Sequence, residues 1–201
     1  DPRTSRESKN KTGLWFSPRM RRHVQYESLL ERNRIQLFDF DPETKCYLEQ
    51  PVKLRFRVEN KERIHVPDLL VWRTSGPMVL CNVKPKDRLG EKSFPAQSQA
   101  AALFCQEEGI EYAVLSEPDS QTLENLRWLR GYFQVEYRNA DDYAAITARL
   151  SSGPASIGEL LDVTGSEIFS KPIIFAALWW RAILCDLSAP LDRTTVVWAN
   201  R

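Results

Sequence analysis

The alternation of apolar and polar positions is sharpest between residues 52 and 84. Val52-Lys53-Leu54-Arg55-Phe56-Arg57-Val58 alternates strictly, which predicts a half-buried strand with a basic outer face. Glu59-Asn60-Lys61 reads as a turn. Two apolar runs follow, Val66 to Trp72 and Met78 to Lys84, separated by a Gly-Pro turn, so three successive strands predict a meander. Upstream, His23 to Phe40 has a helical period, with Leu29, Leu30, Leu37 and Phe38 as core contacts and Asp41-Pro42 as its end. Downstream, Ser93 is placed to cap a helix to about Glu108, which Gly109 stops. Tyr112 to Leu115 is a short buried strand, a second helix runs from Ser120 to about Leu129, and Gly131 to Val135 reads as a last strand. This order predicts an α/β fold, a mixed sheet flanked by helices.

The pattern changes beyond Arg138. Asp141 to Leu150, Ser156 to Leu161 and Ser166 to Cys185 read as helices, and Thr194 to Trp198 reads as a strand. Helices followed by a terminal strand pair suit a small, mainly helical winged-helix-like domain. The expected organisation is an N-terminal arm over residues 1–22, an α/β domain over 23–138 and the helical domain over 139–201.

Composition narrows the field. The 201 residues carry a net charge of only +1, so bulk charge names no partner, but its distribution does. Residues 1–25 hold seven basic side chains against Asp1 and Glu7, a basic arm suited to lying on nucleic acid. None of the four cysteines, Cys46, Cys81, Cys105 and Cys185, forms a CxxC pair, which argues against structural zinc and for a reduced, cytoplasmic protein. No apolar run approaches the length of a membrane span; the richest stretch, Ile173 to Leu187, contains Arg181 and Asp186 and reads as a buried helix.

The chemistry sits where the apolar runs end. Asp68 lies at the start of one strand, and Asn82 and Lys84, two residues apart and therefore on one face, lie at the end of the next. A carboxylate, an oxygen ligand and a lysine held side by side suit a divalent metal and a positioned water. Asp68, the side-chain carbonyl of Asn82 and the backbone carbonyl of Val83 are the candidate metal ligands. Glu31, on the preceding helix, offers a second carboxylate, with Glu27 one turn earlier as its stand-in. Lys84 would orient or deprotonate the water and touch the phosphate. Mg²⁺ is the expected cation, with Mn²⁺ as substitute. Arg21, Arg22, Lys53, Arg55, Arg57 and Lys86 are the candidate DNA contacts. His65, three residues before Asp68, reads as an ordinary strand-surface residue before it reads as a proton shuttle. Exposed members of Ile173 to Trp180 are the candidate partner anchors.

The run Glu31-Arg32, Phe38-Asp39-Phe40-Asp41-Pro42, Glu49-Gln50-Pro51, Val66-Pro67-Asp68-Leu69-Leu70-Val71 and Asn82-Val83-Lys84-Pro85 resembles the TnsA endonuclease subunit of Tn7-like heteromeric transposases, over about residues 23–135. That family has a restriction-endonuclease-like PD-(D/E)xK core. The resemblance implies a catalytic set of Glu31, Asp68 and Lys84, with an amide tolerated at position 82. It implies cleavage of the 5′ ends of a transposon while a DDE-type transposase processes the 3′ ends. Double-stranded transposon ends, that transposase and an AAA+ regulator become the expected partners, with no membrane, and a bacterial cytoplasm, at the nucleoid when bound to DNA, the expected location. Two other readings compete: a nuclease-fold scaffold bridging transposase, regulator and DNA, and a stand-alone restriction or repair nuclease.

Overall fold

The computed structural model describes residues 11–138 and 140–200, so the first ten residues of the expected basic arm lie outside the described residues. The chain divides into two compact units between Pro118 and Asp119. The expected boundary lay near residue 138. The helix at 120–129 falls in the second unit because its buried face, Leu123, Leu126 and Leu129, packs there, and Asn125 donates to the carbonyls of Leu187 and Ala189 at 2.9 and 2.7 Å.

The first unit is built on a four-stranded mixed sheet. Its strands are β3 (Thr44–Glu49), β6 (Leu69–Arg73), β7 (Val79–Val83) and β8 (Glu111–Leu115), in that spatial order. The first three pair antiparallel, and β7 and β8 pair parallel. A parallel pair needs a crossover, supplied by helix α2 (Phe94–Glu108), which follows Ser93 and ends at Gly109 with φ of 66°. Both faces of the sheet are covered. Leu69, Val71, Val79 and Cys81 pack under helix α1 (Leu29–Phe40) and a hairpin of β1 (Gly13–Ser17) and β2 (Arg22–Tyr26), with Val24 and Ile35. The alternate residues Leu70 and Leu80 face α2 and meet Ala101 and Cys105.

Three expectations change here. The stretch from His23 is not helical until Leu29: Arg22–Tyr26 pairs with Gly13–Ser17 and buries Val24, and Ser28 caps the helix, its Oγ accepting the Glu31 N–H. Part of the expected arm is therefore a hairpin. It is fastened by Asp39, whose buried carboxylate accepts from Trp15 Nε1 and Tyr47 Oη at 2.8 Å each and from Ser17 Oγ. Second, β4 (Leu54–Val58) leaves the sheet and pairs with β5 (Lys61–His65) as a separate ribbon. Glu59 and Asn60, both at positive φ (49° and 60°), form its two-residue turn. The meander is thus β3, β6 and β7, not β4, β6 and β7. Third, Gly131 to Val135 is not a strand; a single turn of 3-10 helix, residues 130–132, follows α3 (Ser120–Leu129).

The second unit continues with α4 (Asp141–Ser151), β9 (Ala155–Ser156), α5 (Ile157–Thr164), α6 (Glu167–Trp179), β10 (Ile183–Cys185) and β11 (Val196–Ala199). The three strands form an antiparallel sheet with β11 in the middle. The helix expected to reach Cys185 stops at Trp179, and Arg181, at a φ of 58°, turns the chain into β10. Ile173 through Trp179 are all buried, so the expected partner anchors are core residues, apart from Trp180 at the helix end. Among the described residues, the most exposed large apolar side chains of this unit are instead Ile168 and Phe169 in the first turn of α6, 81% and 73% exposed.

Candidate active site

Asp68 immediately precedes β6. Its backbone N–H extends the ladder to the Cys81 carbonyl at 3.0 Å, and its carboxylate accepts the Val83 N–H at 2.6 Å. The strand pairing therefore fixes the carboxylate against the end of β7. Burial is the main force on it and pushes its pKa up to about 7. The Val83 N–H pulls the other way, Glu31 and Glu27 push it further up by repulsion, and Lys84 lowers it. The field at Asp68 thus brings together Glu31, Glu27, Asp68 and Lys84, and it is short of positive charge.

Glu31 is occupied by its own helix. Its Oε2 accepts the Glu27 N–H at 2.8 Å and its Oε1 accepts from Ser28 Oγ at 2.8 Å, while its N–H donates to Ser28 Oγ at 3.1 Å. Desolvation dominates and raises its pKa, and those two hydrogen bonds offset part of the rise. Glu27 is more exposed, and its Oε1 accepts from Gln50 Nε2 at 2.7 Å.

Lys84 lies just past β7, its side chain 17% exposed. Its ammonium donates to Glu91 Oε2 at 2.5 Å and sits 5.4 Å from the centre of the Phe94 ring. Glu91, in the loop before α2, also accepts from Arg88 Nε at 2.5 Å. No motif marks Glu91; only its position in the Lys84-to-α2 loop does.

Asn82 is 2% exposed and held by protein groups at both ends of its amide. Its Nδ2 donates to Tyr112 Oη at 2.8 Å, and Tyr112 Oη meets Ser98 Oγ at 2.7 Å. Its Oδ1, expected on a metal, faces His65 Nε2 at 3.0 Å. With Nδ2 donating to Tyr112, Oδ1 must be the acceptor, so His65 carries its proton on Nε2. Burial lowers the His65 pKa, with Lys84 adding to the fall, so the ring is neutral at neutral pH. His65, read from sequence as a strand-surface residue, therefore sits beside β7, half-buried against Asn82.

The remaining predicted residues scatter. Arg22 forms a two-pronged pair with Glu49 at 2.9 and 2.8 Å across the hairpin to β3. Arg21, at a φ of 52°, occupies the β1–β2 turn and is exposed. Lys53, Arg55, Arg57 and Lys86 are exposed. Among the described residues, no three His, Cys, Asp or Glu side chains are gathered as metal ligands. The electrostatics nevertheless suit a dication: a carboxylate raised toward neutrality by burial, with Glu31 and Glu27 adding to the rise, gains from an added positive charge.

A mixed sheet between helices, with an aspartate and a lysine delivered by adjacent strands to one end, Glu31 on α1 and Glu27 just before its cap, fits the restriction-endonuclease-like class of nuclease. The particular family follows from comparison: residues 41–117 match the model described as TnsA-like endonuclease N terminal. That segment, which contains Asp68, Asn82 and Lys84, is similar to the TnsA-like nuclease domain. No curated protein matches the chain. Among the described residues, no helix is long and apolar enough to cross a membrane.

Proposed function

We propose that this protein is the metal-dependent DNA endonuclease subunit of a Tn7-like transposase and cleaves the 5′ ends of the transposon. The observation that carries the reading is Asp68 and Lys84 at the ends of neighbouring strands, inside the segment that matches the TnsA-like family. Asp68, the Val83 carbonyl and Glu31 or Glu27 would hold Mg²⁺ or Mn²⁺, and the cation, when bound, makes a water nucleophilic and offsets charge on the phosphate. Lys84 leaves Glu91 to orient that water and to contact the scissile phosphate. Asn82 is better placed to orient its neighbours than to ligate, because its amide is already hydrogen-bonded at both ends.

The second unit has the element order of a winged helix, α4–β9–α5–α6–β10–β11, with β10 and β11 as the wing. Its α6 is apolar and largely buried, and its exposed first turn offers Ile168 and Phe169, which suits a protein partner better than a phosphate backbone. The DDE-type transposase or the AAA+ regulator is the partner this reading assigns to that turn.

The test is strand cleavage of transposon-end DNA by the assembled transposase carrying Asp68→Ala or Lys84→Ala. Both changes lie at strand ends and should leave the circular-dichroism signal of the fold intact while removing 5′ cleavage and sparing 3′ cleavage. Full 5′ cleavage by either variant would refute the assignment. Loss of neither cut, with the complex still assembled, is the outcome a pure scaffold would give.

A further inference from the structure

We propose that the β4–β5 ribbon is a rail for a DNA strand, used on the face that carries Lys61, Arg63 and His65. This rests on the nuclease reading and adds the surface that delivers its substrate. In an antiparallel pair, residues opposite one another share a face. The register Leu54↔His65, Phe56↔Arg63 and Val58↔Lys61 therefore puts Lys61, Arg63 and His65 on one side. Arg55 and Arg57, the arginines of the basic stripe legible in the sequence, lie on the other side with Ile64 and Glu62.

Charge separates the two faces. Arg55 is paired with Glu62 at 3.8 Å, and Glu62 also stands opposite Arg57. Lys61 and Arg63 are exposed, stand opposite apolar residues, and have no ion pair among the described residues. Spacing fits as well. Cations two residues apart on a strand lie about 6.8 Å apart, comparable to the through-space gap between neighbouring phosphates on one DNA strand.

What ties this face to the chemistry is its base. Leu54 is buried under α2 with Leu80, Ala101 and Cys105. His65 is bonded to Asn82, which Tyr112 holds in turn, so the ribbon is pinned at its root to the strand that bears Lys84. A solvated hairpin needs no such anchor. A strand lying along Lys61 and Arg63 would reach His65 and then Lys84 in sequence.

The experiment measures binding of the full chain to a short fluorescein-labelled transposon-end duplex, in Ca²⁺ to suppress cleavage, across a series of salt concentrations. Lys61→Ala/Arg63→Ala should weaken binding about tenfold at low salt and flatten the log–log salt slope by about 1.8, the value for two lost phosphate contacts. The charge-preserving pair Lys61→Arg/Arg63→Lys should keep the slope, and Arg55→Ala/Arg57→Ala should change it less. An equal or larger effect of the Arg55/Arg57 pair, or an unchanged slope for the Lys61/Arg63 pair, overturns the rail while leaving the nuclease reading intact. Failure of the wild-type chain to bind the duplex at all overturns the rail, while the nuclease reading stands or falls on 5′ cleavage by the assembled transposase.

Discussion

Asp68→Asn should stabilise the protein in the absence of metal, and do so only where the carboxylate would be ionised. The folded protein raises this group from an ordinary 3.8 to about 7, chiefly by burial. Above pH 7 the carboxylate is charged in both states, and the folded state bears the cost of the buried charge beside Glu31 and Glu27. Below about pH 4 it is protonated in both states and the cost vanishes. The penalty therefore grows as pH rises from 4 to 7 and is constant above. Its ceiling is about 4 kcal/mol, at 1.36 kcal/mol per tenfold change in proton affinity. Water reaches part of the side chain, which brings the expectation down to about 2 kcal/mol. Asparagine keeps the acceptor for the Val83 N–H and removes the charge. Urea unfolding in EDTA at pH 8 should show the variant more stable by that amount, with the advantage at least halved at pH 4. Adding Mg²⁺ at pH 8 should raise the wild type alone and close the gap. An advantage of equal size at both pH values, or none at pH 8, would refute the account of Asp68 as a strained, metal-seeking acid.

Glu31→Gln keeps the Ser28 cap on the residue-31 backbone N–H and gives up one of two side-chain acceptors, so stability should fall by no more than about 1 kcal/mol. Cleavage should fall at least a hundredfold, and if it does not, Glu31 is a cap and Glu27 is the second acid. Ile168→Asp/Phe169→Asp should leave the thermal midpoint within a few degrees, because both side chains are exposed, and should abolish co-purification with the transposase or regulator. Retention of both partners in that pull-down would remove α6 from the interface.

The parts of the fold legible in the sequence are those whose apolar run is long or whose caps are unambiguous. Leu69–Arg73, Val79–Val83 and α2 between Ser93 and Gly109 appear where the pattern puts them. The missed strands are short and mixed. In β2 only Val24 is buried, and the run Arg22-His23-Val24-Gln25-Tyr26 borrows its helical look from the real helix beyond Ser28. In β3 a register shift between Thr44 and Cys46 breaks the alternation that would have announced a strand. The turn at Glu59-Asn60 was legible, but strand β5 beyond it was not, because Lys61 to Ile64 are all exposed and form no apolar run. Asp68 and Lys84 were legible because polar groups ending apolar strands stand out. The role of His65 was not, since only the hairpin brings residue 65 to Asn82, and Glu91 meets Lys84 through a loop that carries no pattern.

The amide at position 82 acquires a reason once the charges are set beside one another. A second acid there would add to Glu31 and Glu27, which already push Asp68 toward neutrality, and Lys84 in the free protein is matched by Glu91. A carboxylate in place of Asn82 would also lose the donor to Tyr112 and pull a proton onto His65. Under the proposed function, the further negative charge comes from the start of α1, where the Glu27 N–H and Ser28 Oγ hold the Glu31 carboxylate. Position 82 is left to fasten the ribbon, through His65, to the strand that carries Lys84. Under the proposed function, the acidic role thus falls to the helix, and position 82 serves as a joint between β7 and the surface proposed to guide DNA.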